Sequence, residues 1–332
     1  MLNVFTAGSF SGRSVGLEVR VSFAAQCRRD RLPASAGRAG AVAFLSVRRC
    51  RRHCRAALRR PSICGPTGPH AVNSPPPPAH PDAVRDGFVS IAWRDREVRI
   101  EYRWIGREHR DAPLLVFLHE GLGSVSMWRE FPQQLCQAIG VRGLVYSRPG
   151  YGRSTPRAAD EAWDVDFLHR QAHEVLPALF AALAIDEPVW LFGHSDGGSI
   201  ALLHAARFPA SVAGLAVLAP HILVEDITVA GIEQTRRSFM TTELPQKLAR
   251  HHDDVDSAFW GWNRIWLHPS FRSWRIEAQI AAIRCPLLAV QGQDDEYGTL
   301  EQVRGIARRV PQTRLLSCRG AAIRRTATGP RR

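Results

Sequence analysis

The chain has 332 residues, a formal net charge of +13 and seven cysteines. No apolar run approaches the length of a membrane span, and the cysteines are too sparse to build a disulfide framework, so a helical membrane protein and a small disulfide-stapled domain are both excluded. The charge is unevenly spread. Residues 1–80 hold thirteen arginines against Glu18 and Asp30, a net of +11, and six arginines without an acid follow from Arg314 onward, which leaves −4 for residues 81–313. The basic balance therefore describes the two ends of the chain and carries no information about a substrate.

Residues 1–85 read as an Arg- and Pro-rich leader that closes on Asn73-Ser74-Pro75-Pro76-Pro77-Pro78-Ala79-His80-Pro81, a stiff extended linker. Three origins fit this composition: translation from a start upstream of the true one, a disordered basic tail for nucleic acid or anionic lipid, or a transit peptide. The length and the proline run fit the last of these poorly. Four cysteines (Cys27, Cys50, Cys54, Cys64) lie in the leader, while Cys136 and Cys285 sit in or beside apolar runs as core thiols. A reducing, cytoplasmic setting is the expectation, with no specific nucleic-acid partner.

Residues 86–332 read as one α/β domain. Phe88–Trp93 and Val98–Trp104 alternate apolar and polar side chains and predict an antiparallel opening hairpin. Leu114-Leu115-Val116-Phe117-Leu118 predicts a buried strand that runs into the loop His119-Glu120-Gly121-Leu122-Gly123-Ser124. Gly143–Tyr146 predicts a second, ending in Arg148-Pro149-Gly150-Tyr151-Gly152-Arg153-Ser154. A helix is expected around Asp166–Leu183. The run Pro188-Val189-Trp190-Leu191-Phe192 then leads into Gly193-His194-Ser195-Asp196-Gly197, and a helix over 198–207 follows. Strand, tight turn and helix around G-x-S-x-G is the context of a nucleophile elbow, in which small residues two before and two after the serine avoid a clash.

Val212–Ala219 predicts a further strand, followed by His221. From about 222 to 283 the β/α rhythm stops in favour of helical pattern with seven aromatic side chains: Phe239, Phe259, Trp260, Trp262, Trp266, Phe271 and Trp274. Pro286–Gln291 predicts the next strand, ending in Gly292-Gln293-Asp294-Asp295, and Thr313–Cys318 a last one. A basic tail, 319–332, has neither an acid nor a periodic apolar face.

With these motifs in this order, the chain resembles the α/β-hydrolase family from about Gly87 to about Cys318. The resemblance implies an α/β-hydrolase fold with a mostly parallel sheet, a helical cap over 222–283, and a final helix that the tail does not supply. It implies Ser195 as nucleophile, Asp295 as the acid that orients a histidine (Asp294 being the second candidate), and the Gly121 and Asp196 amides as oxyanion donors. Glu120 departs from the pattern, since the family usually has glycine there. The substrate implied is a small acyl compound: an ester, a lactone, a thioester or a cleavable carbon–carbon ketone. Serine at the elbow argues against the dehalogenase and epoxide hydrolase branches, which use aspartate. No cofactor motif and no metal-ligand spacing is present.

The family order is serine, acid, histidine, yet His268 is the last histidine of this chain. Without a base a serine hydroxyl is a poor nucleophile, so an impaired hydrolase is expected; an inactive relative that binds a small hydrophobic ligand is the alternative. Substitute bases are few. His194 is expected to pack under the turn, His119 to brace its loop, His221 to lie at the ligand end of the sheet, and His251 and His252 to be exposed. One lysine, Lys247, against 43 arginines points to a GC-rich gene. GC-rich codons for Ala321-Ala322-Ile323 onward, read two bases later, give Gly-His-Ser-Pro, the form in which the family presents its histidine. A frameshift near Cys318 is thus one origin of the tail, and a native basic tail on an inactive relative is the other.

Overall fold

In the computed structural model, residues 83–158 and 160–318 are described, together with the backbone of two strands in the leader. Those strands, β1 (Glu18–Ala24) and β2 (Val42–Arg48), pair antiparallel with Glu18 opposite Arg48. The leader pattern had suggested no such element. The chain divides into two units at Asp82/Ala83. The basic tail, and with it the expectation of a missing final helix, falls outside the described residues.

The second unit is built on one sheet of eight strands. β3 (Val84–Trp93) and β4 (Arg96–Ile105) form the expected antiparallel hairpin. β5 (Leu114–Leu118), β6 (Arg142–Tyr146), β7 (Val189–His194), β8 (Val212–Leu218), β9 (Leu287–Gly292) and β10 (Thr313–Cys318) run parallel, in the order β10-β9-β8-β7-β5-β6-β4-β3. Every residue of β5 is buried, as expected for a parallel strand covered by helices on both faces. The chain passes from β5 to β6 on one side and returns to β7 on the other. Ligand crevices of open α/β sheets form at such a reversal, outside the carboxyl ends of the strands.

Helices α1 (Phe131–Ile139), α2 (Phe167–Arg170), α3 (Leu176–Ala182) and α4 (Asp196–Arg207) cover the sheet. The helix expected over 166–183 is present but contains a π turn at Gln171–Val175 between α2 and α3. Helices α5 (Asp226–Thr241), α6 (Leu244–Leu248) and α7 (Val255–Trp266) form the expected excursion. A bridge between Leu223 and Arg275, with the Ile276 amide donating to the Ile222 carbonyl at 2.8 Å, joins its two ends. Short helix α8 (Glu277–Ile280) follows, and α9 (Glu301–Arg309) buries Val303 and Ile306 while its arginines face outward.

The aromatic side chains of the excursion largely pack against one another. Phe239 stacks on Phe259 with ring centroids 3.6 Å apart, and Trp266, Phe271 and Trp274 form a second cluster. Apolar burial of this kind contributes roughly 25 cal/mol per Å², so these rings hold the excursion together. Trp262 has a further contact, described below.

Candidate active site

Ser195 sits at the β7–α4 junction with φ 51° and ψ −117°, left-handed backbone that a side-chain-bearing residue adopts only under constraint. The constraint is visible on both sides. The Ser195 amide donates to the Leu218 carbonyl of neighbouring β8 at 2.9 Å, while its own carbonyl accepts from Ser199 at 3.0 Å. A Cβ on Gly193 would collide with the Gly197 carbonyl, and one on Gly197 with the carbonyl of Leu118. Only glycine at both positions allows β5, β7 and α4 to close this tightly. The Ser195 side chain is partly exposed at the N-terminus of α4, where the helix dipole favours negative charge.

The loop after β5 lies beside this turn. His119 is wholly buried, its Nδ1–H donating to the Glu120 carbonyl at 2.7 Å and its Nε2 accepting from the Arg148 amide at 3.0 Å. Burial, with the Arg148 charge beside it, pushes its pKa far down and keeps the ring neutral. It braces the loop, as expected. Gly121 packs against the Trp262 indole of α7, so tightly that a Cβ would strike the ring. The helical excursion therefore packs over the loop whose amide is the candidate oxyanion donor. The Glu120 carboxylate lies over Gly123 and 3.8 Å from His194 Nδ1.

Asp196, the other candidate donor, is buried, and its carboxylate faces Arg148 Nη2 at 3.4 Å. Burial raises its pKa, and Arg148 opposes that rise. Asp295, just past β9, is buried while Asp294 is exposed. One oxygen of Asp295, Oδ1, accepts from the amides of Tyr297 at 2.8 Å and Gly298 at 3.1 Å. Those bonds hold the carboxylate plane and leave Oδ2 without a hydrogen bond among the described residues. Burial raises the Asp295 pKa, while the two amides and His194 counter it.

Two expectations about the histidines are corrected. His194 does not pack under the turn: its side chain is 26% exposed, faces Glu120, and stands close enough to Asp295 and His221 to act on both electrostatically. His252 is not exposed. It is buried, with Nδ1 accepting from the Gly152 amide and Nε2–H donating to the Leu122 carbonyl, both at 3.0 Å. Two backbone groups distant in sequence, the Gly152 amide and the Leu122 carbonyl, satisfy both ring nitrogens and so hold the side chain inside. Its neighbour His251 is half-buried, with Nδ1 2.9 Å from Ser126 Oγ. His221 does lie at the ligand end of the sheet, but it is buried edge-on against Trp266, its pKa pushed down to about 4 by burial. Among the described residues no hydrogen bond joins any histidine to Ser195. No group of three metal-ligating side chains occurs there, and no helix is long and apolar enough to cross a membrane.

Residues 113–265 match a family model described as the alpha/beta hydrolase fold. Proline iminopeptidase of Thermoplasma volcanium is 28% identical over 162 residues, which is 49% of this chain and 49% of that protein. The chain thus spans about half the length of the curated relative it matches. A carboxylesterase structure from Nitrososphaera gargenis aligns with a TM-score of 0.55 at 18% identity, covering 70% of this chain and 90% of that one. The enol-lactonase of Burkholderia xenovorans LB400 aligns with a TM-score of 0.52 at 20% identity, over 67% and 88% respectively.

Proposed function

Since this chain has the α/β-hydrolase fold, we propose that it is built as a serine hydrolase for a small carboxylic ester, lactone or related acyl substrate, and that residues 1–332 by themselves are impaired in it. The observation that carries the reading is the strained Ser195, held at φ 51° between two glycines that tolerate no side chain. Strain at a serine that follows a central strand and opens a helix supports a role in reactivity rather than in packing.

In the reaction proposed, Ser195 Oγ attacks the substrate carbonyl carbon and the Gly121 and Asp196 amides bind the developing oxyanion. The alcohol leaves, and water then releases the acid from the acyl-serine. Asp295, with Oδ1 tied down and Oδ2 without a hydrogen bond among the described residues, is suited to hold an imidazole. No histidine follows it in the sequence, so the serine proton passes to water. Loss of one triad member leaves the oxyanion site and substrate binding to supply what catalysis remains, at rates lower by roughly 10³–10⁶. The reading of 319–332 as a shifted frame belongs to this proposal. So does a reducing cytoplasmic location, which suits the free thiols of Cys285 and Cys318.

A fluorophosphonate probe and a short-chain p-nitrophenyl ester test the reading. Ser195 in the present chain is expected to label slowly, and a chain whose tail reads Gly-His-Ser-Pro after the last strand is expected to label and hydrolyse at least a thousandfold faster. A folded chain with that tail and no gain in either assay overturns it in favour of a non-catalytic binder, a reading supported by the lack, among the described residues, of a histidine hydrogen-bonded to Ser195. A proline p-nitroanilide in the same panel asks whether the activity named for the T. volcanium relative extends here.

A further inference from the structure

Arg148 lies in the turn after β6, far from any surface, and its side chain is completely buried. A buried guanidinium costs several kcal/mol unless its donors are used. Here Nη2 donates to the Glu120 carbonyl at 2.9 Å and to Asp196 Oδ2 at 3.4 Å, while the buried Nη1 has no hydrogen-bond partner among the described residues. The backbone N–H donates to His119 Nε2 at 3.0 Å, with the side-chain Nε at 3.4 Å from the same atom. The guanidinium carbon stands 4.6 Å from the centre of the Tyr151 ring.

The targets of these bonds matter more than their number. The Glu120 carbonyl belongs to the same planar peptide as the Gly121 N–H, and in a trans peptide the two point in opposite directions. Whatever holds the carbonyl therefore aims the N–H. Three donors hold it: Arg148 Nη2, His119 Nδ1–H at 2.7 Å and the Gly123 amide at 3.0 Å. His119 is itself fixed by Arg148. The second contact of Nη2 is the side chain of Asp196, whose own amide is the other proposed donor. One guanidinium thus reaches both halves of the site.

We infer that Arg148 is a positioning residue for the oxyanion site: it aims the Gly121 N–H through the Glu120 carbonyl and fixes Asp196 through its carboxylate. The inference rests on the proposed function in so far as those two amides receive an oxyanion. Lysine cannot replace the arginine, because a single ammonium on a flexible stem lacks the planar fork that serves several partners at once.

The test must separate aiming from simple support of the fold. Exchange of both members of a buried ion pair for apolar side chains is often neutral for stability, so the variant Arg148→Met/Asp196→Leu removes the charges without leaving one unpaired. The assay is residual p-nitrophenyl acetate hydrolysis by the full chain, over the background of Ser195→Ala. In the double variant kcat is expected to fall about 10–100-fold with KM unchanged while Tm stays near the parent value; loss of a whole donor costs about 10²–10³. Arg148→Lys, which keeps the charge, is expected to lose about tenfold. A crystal structure of the double variant should show the Glu120–Gly121 peptide turned. A double variant with parental kcat and an unmoved peptide overturns the inference. A parent no faster than Ser195→Ala is what a serine without a base allows, and the same series is then read in a chain given the histidine-bearing tail; if that chain too is no faster than its Ser195→Ala variant, the serine-hydrolase reading fails instead. The peptide orientation then decides alone: turned supports positioning by Arg148, and unmoved overturns it.

Discussion

Gly197 lies inside α4, where alanine is favoured over glycine by about 1 kcal/mol, yet its Cα faces the carbonyls of Leu118 and His119 across the gap to β5. Forcing a methyl group against backbone costs typically 1–3 kcal/mol and can cost more, so the clash outweighs the propensity gain. Gly197→Ala is expected to lower stability by about 2 kcal/mol, a fall in Tm of roughly 4–8 °C for a body of this size, read by circular dichroism on heating. Asp295 has the opposite character. Its folded pKa is raised by burial above the unfolded value of 3.8, so it costs stability as pH rises through that folded value. Asparagine keeps an acceptor for the Tyr297 and Gly298 amides and removes the charge. Asp295→Asn is therefore expected to raise Tm at pH 7, and in a chain given the histidine-bearing tail to cut kcat by about 10⁴, as loss of a triad carboxylate does elsewhere. A Tm difference between the two proteins that is the same at pH 4 and at pH 7 would show that the carboxylate is not desolvated.

At the scale of elements, the helical excursion is fastened to the loop after β5 by a strap just before α7. His252 bridges the Gly152 amide and the Leu122 carbonyl, and the next amide, Asp253, donates to the Gly152 carbonyl at 2.9 Å. His252→Ala leaves two buried backbone groups unpaired, at about 1–3 kcal/mol each. Amide exchange over residues 121–124 should become at least tenfold faster while that of β8 is unchanged; equal protection in both proteins would show that Trp262 alone secures the loop. The strand–turn–helix around Ser195 was legible in the sequence because its demands are local: two glycines, a strand before and a helix after, all within 20 residues. The hairpin and the buried parallel strands were legible because alternation and continuous apolar runs are local patterns as well. His252 was not, since its partners lie 100 and 130 residues away along the chain, and the acidic run beside it signals only solvent. Arg148 was hidden for the same reason. A lone arginine in a Pro-Gly turn reads as exposed until the fold brings Asp196 and Glu120 to it.

For the whole molecule, these buried histidines set a pH dependence of stability. Burial pushes the pKa values of His204, His221 and His252 down to about 4 and holds that of His119 well below the usual imidazole value. Unfolded, each would titrate near 6.5. As pH falls below about 6.5, the unfolded chain binds protons that the folded chain refuses, so stability present at neutral pH is lost progressively down to about pH 4. Each such histidine contributes a slope of at most about 1.4 kcal/mol per pH unit. Asp196 and Asp295 have raised pKa values and act in the other sense, favouring the folded state as they take up protons. Two carboxylates against four imidazoles leave the histidines dominant between pH 6.5 and 5. Urea midpoints measured at pH 7.5 and pH 5 should therefore differ by several kcal/mol in unfolding free energy, with the acid sample less stable. In His204→Gln, which removes a buried ring remote from Ser195 that donates to the Ala172 carbonyl at 2.7 Å, the difference should shrink by about 2 kcal/mol, the share of one group carried from pH 6.5 to 5. A parent whose midpoint does not move over that range would mean that these imidazoles accept protons in the folded state, and that the strap and the loop brace open in acid instead.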